Sequence, residues 1–194
     1  MKARDIILCA LFAALTAVGA FIKIPVPIVP FTLQFFFCAM AGIFLGSKLG
    51  AISQAVYVAV GLVGIPVFTQ GGGFDYVLKP TFGYLLGFIL CAFVIGLLAE
   101  RMRNMRFMPL FGAVLAGMLC MFLLGVPYLY AVYNLYLGEL KDAGWALTYG
   151  LLVFLPGDIF LSAAAAFAAK KLIPALRRND LVQYRGKDAQ DFRP

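Results

Sequence analysis

The sequence has no histidine, and only 13% of its 194 residues are charged. It also has no paired carboxylates and no cysteine–histidine arrangement of the kind that general acid–base or nucleophilic catalysis requires. The composition therefore disfavours an enzyme. One alternative stays open, an enzyme that would use Asp158 and Lys79.

A phosphate-binding loop of the form Gly-x-x-x-x-Gly-Lys-Ser/Thr is missing as well. The nearest stretch, residues 42–48, has its glycines and lysine at the wrong spacing and ends an apolar run. The chain is therefore not expected to hydrolyse ATP.

Cysteine is scarce and is never paired in the sequence. No Cys-x-x-Cys spacing occurs, and each cysteine stands alone inside an apolar run, which is typical of small buried hydrophobic residues. The four are Cys9, Cys38, Cys91 and Cys120.

Apolar residues dominate what is present, at 63% of the chain. Several uninterrupted apolar runs reach the roughly 20 residues that an α-helix needs to cross about 30 Å of hydrocarbon. They lack the residue-by-residue alternation of a transmembrane barrel. The sequence therefore predicts an all-α membrane protein.

Six membrane-spanning helices are predicted, and a short re-entrant or interfacial segment is expected at residues 145–154 because Pro156 and Gly157 interrupt the run there. Residues 1–178 are interpreted as one domain and residues 179–194 as a polar cytoplasmic tail. The predicted helices cover residues 6–22, 31–45, 49–65, 80–99, 109–133 and 155–172.

The basic residues are distributed unevenly along this pattern. Of the 16 lysines and arginines, all but Lys23, Lys79 and Lys141 fall on one side of a six-helix arrangement. By the positive-inside rule, both termini are cytoplasmic and the connection at residues 64–84 faces outward. The net charge of +7 therefore follows membrane topology and does not indicate a nucleic-acid partner.

The connection at residues 64–84 is the candidate ligand loop. Three adjacent glycines allow close approach of the backbone to a ligand, and nearby aromatic rings can form apolar walls. The alternative is an ordinary exposed loop in which glycine and proline mark turns. The candidate ligand residues in it are Phe68, Gly71, Gly72, Gly73, Phe74 and Tyr76.

Two charged residues near the predicted helix ends have open interpretations. Asp158 is either a helix N-terminal charge, which the helix dipole favours by about 0.3–1 kcal/mol, or an acceptor for ligand N–H groups. Lys79 either extends its ammonium to the membrane interface or pairs with a ligand carboxylate.

Small residues recur at four-residue spacing, which lets helices approach closely inside the bundle or against a partner protein. Tyrosines near the end of the fifth run are interpreted as an interfacial aromatic belt. The small-residue pairs are Ala10/Ala14, Ala13/Ala17, Gly42/Gly46 and Gly83/Gly87, and the tyrosines are Tyr128, Tyr130, Tyr133 and Tyr136.

Residues 6–175 resemble the BioY family, the biotin-specific S components of energy-coupling factor (ECF) transporters. The most specific match is Gly64-Ile-Pro-Val-Phe68, the glycine triplet, and Pro80-Thr-Phe-Gly-Tyr84. Further matches are Ala10-Leu-Phe-Ala-Ala-Leu15, Val29-Pro-Phe-Thr-Leu-Gln34, Gly125-Val-Pro127 and Pro156-Gly-Asp158.

The resemblance implies a plasma-membrane protein that captures biotin from outside, without a cofactor, and associates with a transmembrane T component and two ABC-type ATPases. It implies that biotin contacts the 71–79 loop, Tyr84 and Asp158. It also implies that the first helix docks on the T component through Ala10/Ala14 or Ala13/Ala17, and both pairs stay open.

Two positions depart from the family pattern: Leu161 stands where many members carry lysine, and Phe82 where many carry glycine. The first departure makes Lys79 the candidate partner of the biotin carboxylate. The alternative functions are an S component for another small vitamin and a membrane protein without a transport role.

Overall fold

The computed structural model describes residues 2–24, 28–102 and 104–178, with side chains up to residue 174. The predicted tail, residues 179–194, lies outside the described residues. The helices are α1 (Ala3–Phe21), α2 (Gln34–Leu62), α3 (Phe82–Glu100), α4 (Phe107–Ala131), α5 (Ala143–Leu147) and α6 (Leu155–Arg178).

Five helical segments of the described chain are long and apolar enough to cross a membrane. Their outer surfaces carry many large apolar side chains, which water would not favour and lipid tails accept. Examples are Ile7, Phe21, Leu123 and Phe160, all exposed. The prediction of a helical membrane protein is therefore confirmed.

Short elements connect the long helices. Two-residue strands β1 (Lys23–Ile24) and β2 (Phe31–Thr32) pair antiparallel between α1 and α2. A 3₁₀ turn, Phe74–Leu78, precedes α3, and π-helical turns follow α4 and α5. The π turn after α5 covers Thr148–Leu152. α6 then begins at Leu155, so the short segment predicted before it is present as α5 and this turn.

The helix α2 doubles back on itself at Gly46, whose φ of 79° and ψ of −176° are not helical. Gln34 Nε2 donates to Tyr57 Oη at 2.6 Å, although 23 residues separate them. A straight helix would hold residues so spaced about 35 Å apart. Residues 34–45 therefore form a first arm and residues 47–62 a second, antiparallel arm, and glycine suits the left-handed φ at the turn.

Glu100, the last residue of α3, caps the second arm. Its Oε1 accepts from the Ser47 backbone N–H at 2.6 Å and from Ser47 Oγ at 2.9 Å. The first N–H groups of a helix have no partner within the helix, and a carboxylate there also suits the helix dipole. Glu100 therefore joins the turn at Gly46 to the end of α3.

Glu100→Gln is expected to lower the free energy of unfolding by about 1 kcal/mol, because a neutral acceptor replaces a charged one at the helix start. Thermal unfolding of the purified protein in detergent measures this. The matched control is Glu139→Gln, since Glu139 pairs with Lys141 at 3.2 Å on the surface, where an ion pair contributes little. Equal losses in both variants would contradict the capping role.

Glycines allow the arms of α2, α3 and α4 to pack closely. A Cβ on Gly42 would lie 2.7 Å from the backbone oxygen of Ala92, and one on Gly87 would lie 2.8 Å from that of Met121. Added side chains would therefore push neighbouring helices apart. The Gly42/Gly46 and Gly83/Gly87 pairs therefore lie inside the bundle. The four cysteines, all in the described part of the chain, form no disulfide.

Contacts between elements define two ends of the bundle. At the Glu100 end, Ser47 contacts Glu100, and Cys9 Sγ donates to the backbone oxygen of Leu49 at 3.5 Å. At the opposite end, Tyr84 Oη donates to the backbone oxygen of Gly150 at 2.7 Å. The candidate site lies at this second end.

Candidate binding site

A cavity opens at the end of the bundle opposite Glu100. Its empty space amounts to about 530 Å³, counting the part open to solvent. The walls are mostly aromatic or aliphatic, with few polar groups, as is typical of small-molecule sites. The lining residues are Val29, Pro30, Phe31, Thr32, Gln34, Phe35, Thr69, Tyr76, Thr81, Tyr84, Leu85, Phe88, Met121, Phe122, Phe154 and Asp158.

Asp158 supplies the acidic group of the cavity wall. It lies in the first turn of α6 and is only 5% exposed. Its backbone N–H donates to the oxygen of Phe154 at 2.9 Å, and its backbone oxygen accepts from Ser162 Oγ at 2.7 Å. Among the described residues, no side chain or backbone group donates a hydrogen bond to its carboxylate. A buried carboxylate without a donor is costly, so this one is available to a ligand.

Gln34, at the start of the first arm, is bonded to protein groups through both ends of its side-chain amide. Its Oε1 accepts from Thr32 Oγ1 at 3.0 Å, and its Nε2 donates to Tyr57 Oη. Tyr57 in turn donates to the backbone oxygen of Val67 at 3.1 Å. These bonds hold the loop after α2 against the cavity wall.

Phe68 stands behind the cavity wall. It is 2% exposed, with its ring centroid 5.5 Å from that of Tyr57 and 4.5 Å from that of Tyr76. A Cβ on Gly61 would overlap the Phe68 ring. Phe68 therefore supports Tyr76, which does line the cavity.

The glycine triplet shapes the loop next to the cavity. Gly71 and Gly73 have φ of 108° and 112°, a conformation that disfavours other residues. Gly71 exchanges backbone hydrogen bonds with Phe68, at 2.9 and 3.3 Å. The three glycines do not belong to the lining residues, so their contact with a ligand stays a prediction.

The other predicted residues are divided between the cavity and its surroundings. Tyr76 and Tyr84 line it, and the Tyr84 bond to Gly150 fixes the π turn beside it. Phe74 is 78% exposed, and Lys79 is also exposed outside the lining. Their roles in ligand binding stay predictions.

Several lining residues were not among the sequence candidates. Leu85 and Phe88 accompany Tyr84 on one face of α3, and Thr81 directly precedes that helix, at the three- and four-residue spacing of a helix. That spacing is a signal that could have found them. Phe31 and Met121 belong to distant parts of the sequence and have no such signal.

These features define a helical membrane protein with a candidate small-molecule site at one end of the bundle. The sequence matches the BioY family over residues 1–178. The chain belongs to the BioY family, which confirms the resemblance noted in its motifs.

Curated relatives cover most of the chain. A protein of Lysinibacillus sphaericus described as a probable biotin transporter BioY is 45% identical over 173 residues, which is 89% of this chain and 88% of the relative. The biotin transporter BioY of Thermotoga maritima is 40% identical, covering 87% of this chain and 95% of the relative.

A solved structure is also similar. It is the crystal structure of the S component for biotin from an ECF-type ABC transporter, with a TM-score of 0.77 and 26% sequence identity. The match covers 90% of this chain and 95% of the other. The two proteins therefore share the fold across nearly their full lengths.

Proposed function

We propose that this protein is the biotin-binding S component of an ECF transporter and that it is not an enzyme. The observation that carries the proposal is the buried Asp158 carboxylate, which faces an apolar cavity without a hydrogen-bond donor from the described residues. The relatives described as biotin transporters support it.

Biotin has the chemistry that such a cavity accepts. Its ureido ring carries two N–H donors, its bicyclic body is apolar, and its valerate tail carries a carboxylate. The ureido N–H groups donate to Asp158, and the Tyr76 and Tyr84 rings enclose the body of the ligand.

The predicted loop residues complete this proposal. Phe68 supports the wall, while the glycines at 71–73 let the loop move when the ligand enters or leaves. Phe74 covers the entrance from its exposed position, and Lys79 is the sequence candidate for the carboxylate. A change in protease cleavage of the loop on ligand binding would support these roles.

We further propose that residues 1–178 form one domain that crosses the plasma membrane six times. The two arms of α2 count as separate crossings, and the other four long helical segments supply the rest. With both termini cytoplasmic, the cavity opens outward. Support comes from the basic residues near the Glu100 end, such as Lys48 and Arg101.

The proposed partners are a T component and two ABC-type ATPases, since the chain has no nucleotide-binding loop of its own. Of the two alanine pairs in α1, Ala10 and Ala14 are exposed, whereas Ala13 is buried and Ala17 half-buried. The Ala10/Ala14 pair is therefore the proposed docking surface, because small residues there permit close helix contact.

Equilibrium binding of labelled biotin to the detergent-purified chain tests the function. We expect one site per chain, with desthiobiotin competing and lipoate and thiamine failing to compete. Displacement by thiamine or lipoate instead would favour an S component for another vitamin. No binding of any of these by monodisperse protein would contradict the S-component assignment.

A further inference from the structure

The outer edge of the cavity carries a connected set of polar groups. Thr69 Oγ1 and Tyr76 Oη are hydrogen-bonded at 3.1 Å, and Thr81 Oγ1 donates to the same Tyr76 oxygen at 3.2 Å. All three residues line the cavity, as does Thr32 on β2. The cavity wall therefore carries polar groups around the half-buried Thr69 in addition to the buried Asp158.

Lys23 is a cation placed at this edge by two independent contacts. Its backbone pairs with Thr32 in the β1–β2 ladder. Its ammonium donates to the backbone oxygen of Thr69 at 3.0 Å, across 46 residues of sequence. Since an ammonium has three N–H donors and this contact uses one, further acceptors can bind there.

The two other cations at this end differ from Lys23. Lys141 pairs with Glu139 at 3.2 Å and lies over the Trp145 ring at 5.3 Å. Lys79 and Lys23 are both exposed, and the backbone N–H of Lys79 donates to the oxygen of the lining residue Tyr76 at 3.0 Å. In the described part of the chain, however, the Lys79 ammonium forms no hydrogen bond or ion pair, whereas the Lys23 ammonium bonds a lining residue. No acidic side chain in the described part of the chain forms an ion pair with Lys23.

We propose that Lys23 binds the carboxylate of the ligand, a role for which Lys79 was the sequence candidate. The inference rests on the proposed function and adds a specificity determinant to it. The donor end of the ligand meets Asp158, and its apolar body fills the aromatic part of the cavity. Its charged tail then extends toward the side of the cavity where Lys23 and Thr69 lie. The site then selects an anion because the charge of the tail meets an ammonium.

The test compares biotin with biotinamide, whose tail is neutral, on the full chain in detergent. Lys23→Met is expected to weaken biotin binding about fivefold, as for an ion pair at a solvent edge, while biotinamide binding changes less than about twofold. Lys23→Arg retains the charge and should retain the preference for biotin. Added salt should lower the preference of the wild-type protein.

Lys141→Met is the matched control and should leave the biotin-to-biotinamide ratio unchanged, since Lys141 is a cation at the same end that pairs with Glu139. Lys79→Met tests the sequence candidate in the same assay. If Lys23→Met weakens both ligands equally, or neither, Lys23 only joins the two loops and the inference is overturned. A ratio that changes in Lys79→Met alone overturns it as well. Failure of the wild-type chain to bind biotin overturns the proposed function itself, and this inference with it.

Discussion

Asp158→Asn is expected to weaken biotin binding by about a hundredfold, equivalent to roughly 2.7 kcal/mol. The amide removes the negative charge that accepts the ureido N–H groups and can turn its own donor toward the ligand. Thermal stability without biotin should be equal or higher, because the native carboxylate is 5% exposed and accepts no hydrogen bond from the described residues. Titration with labelled biotin and thermal unfolding of the same preparation measure both effects.

Asp75→Asn is the matched control, since Asp75 belongs to the loop beside the cavity but is exposed. It should leave biotin affinity within about twofold of the wild-type value, as is usual for an exposed side chain. Full affinity in Asp158→Asn would remove the central contact of the proposed site. A loss of affinity together with a large loss of stability would assign Asp158 a structural role instead.

Ala14→Trp is expected to lower biotin uptake at least about tenfold while leaving biotin affinity unchanged. An indole on the exposed face of α1 keeps a partner helix from approaching closely, and Ala14 lies outside the cavity lining. The measurements are uptake by cells that also produce T and ATPase subunits, and binding by the purified chain. Co-purification of the T component should fall in parallel.

Ala55→Trp provides the control, because Ala55 is exposed on the second arm of α2 and receives the same change of side chain. Normal uptake in Ala55→Trp separates loss of docking from a general effect of tryptophan on the membrane surface. Wild-type uptake in Ala14→Trp would contradict docking through Ala10/Ala14. Uptake by cells without T and ATPase subunits would show that the chain transports alone.

The helices were largely predictable from local sequence. A segment in lipid must satisfy its own backbone hydrogen bonds, so a long apolar run has little alternative to an α-helix. The start of α6 at Leu155 was predictable for a similarly local reason, since proline is accepted in the first turn of a helix. The glycines at 71–73 indicated a turn, and two of them have the positive φ that glycine favours.

The candidate site was predictable only in part. Tyr76, Tyr84 and Asp158 were named from the sequence and line the cavity, whereas Phe68 lies behind its wall and Phe74 points to the surface. A loop sequence shows that aromatic rings are present but not which way each one faces. That direction depends on contacts such as the packing of the Phe68 ring between the rings of Tyr57 and Tyr76.

The sequence by itself determined the membrane class, the family and the helical runs, because hydrophobic length and short motifs are local properties of the chain. Only the tertiary structure decided that Ala10 and Ala14 face outward and that Lys23 reaches Thr69. Each of these depends on packing between segments distant in sequence, which local patterns do not specify.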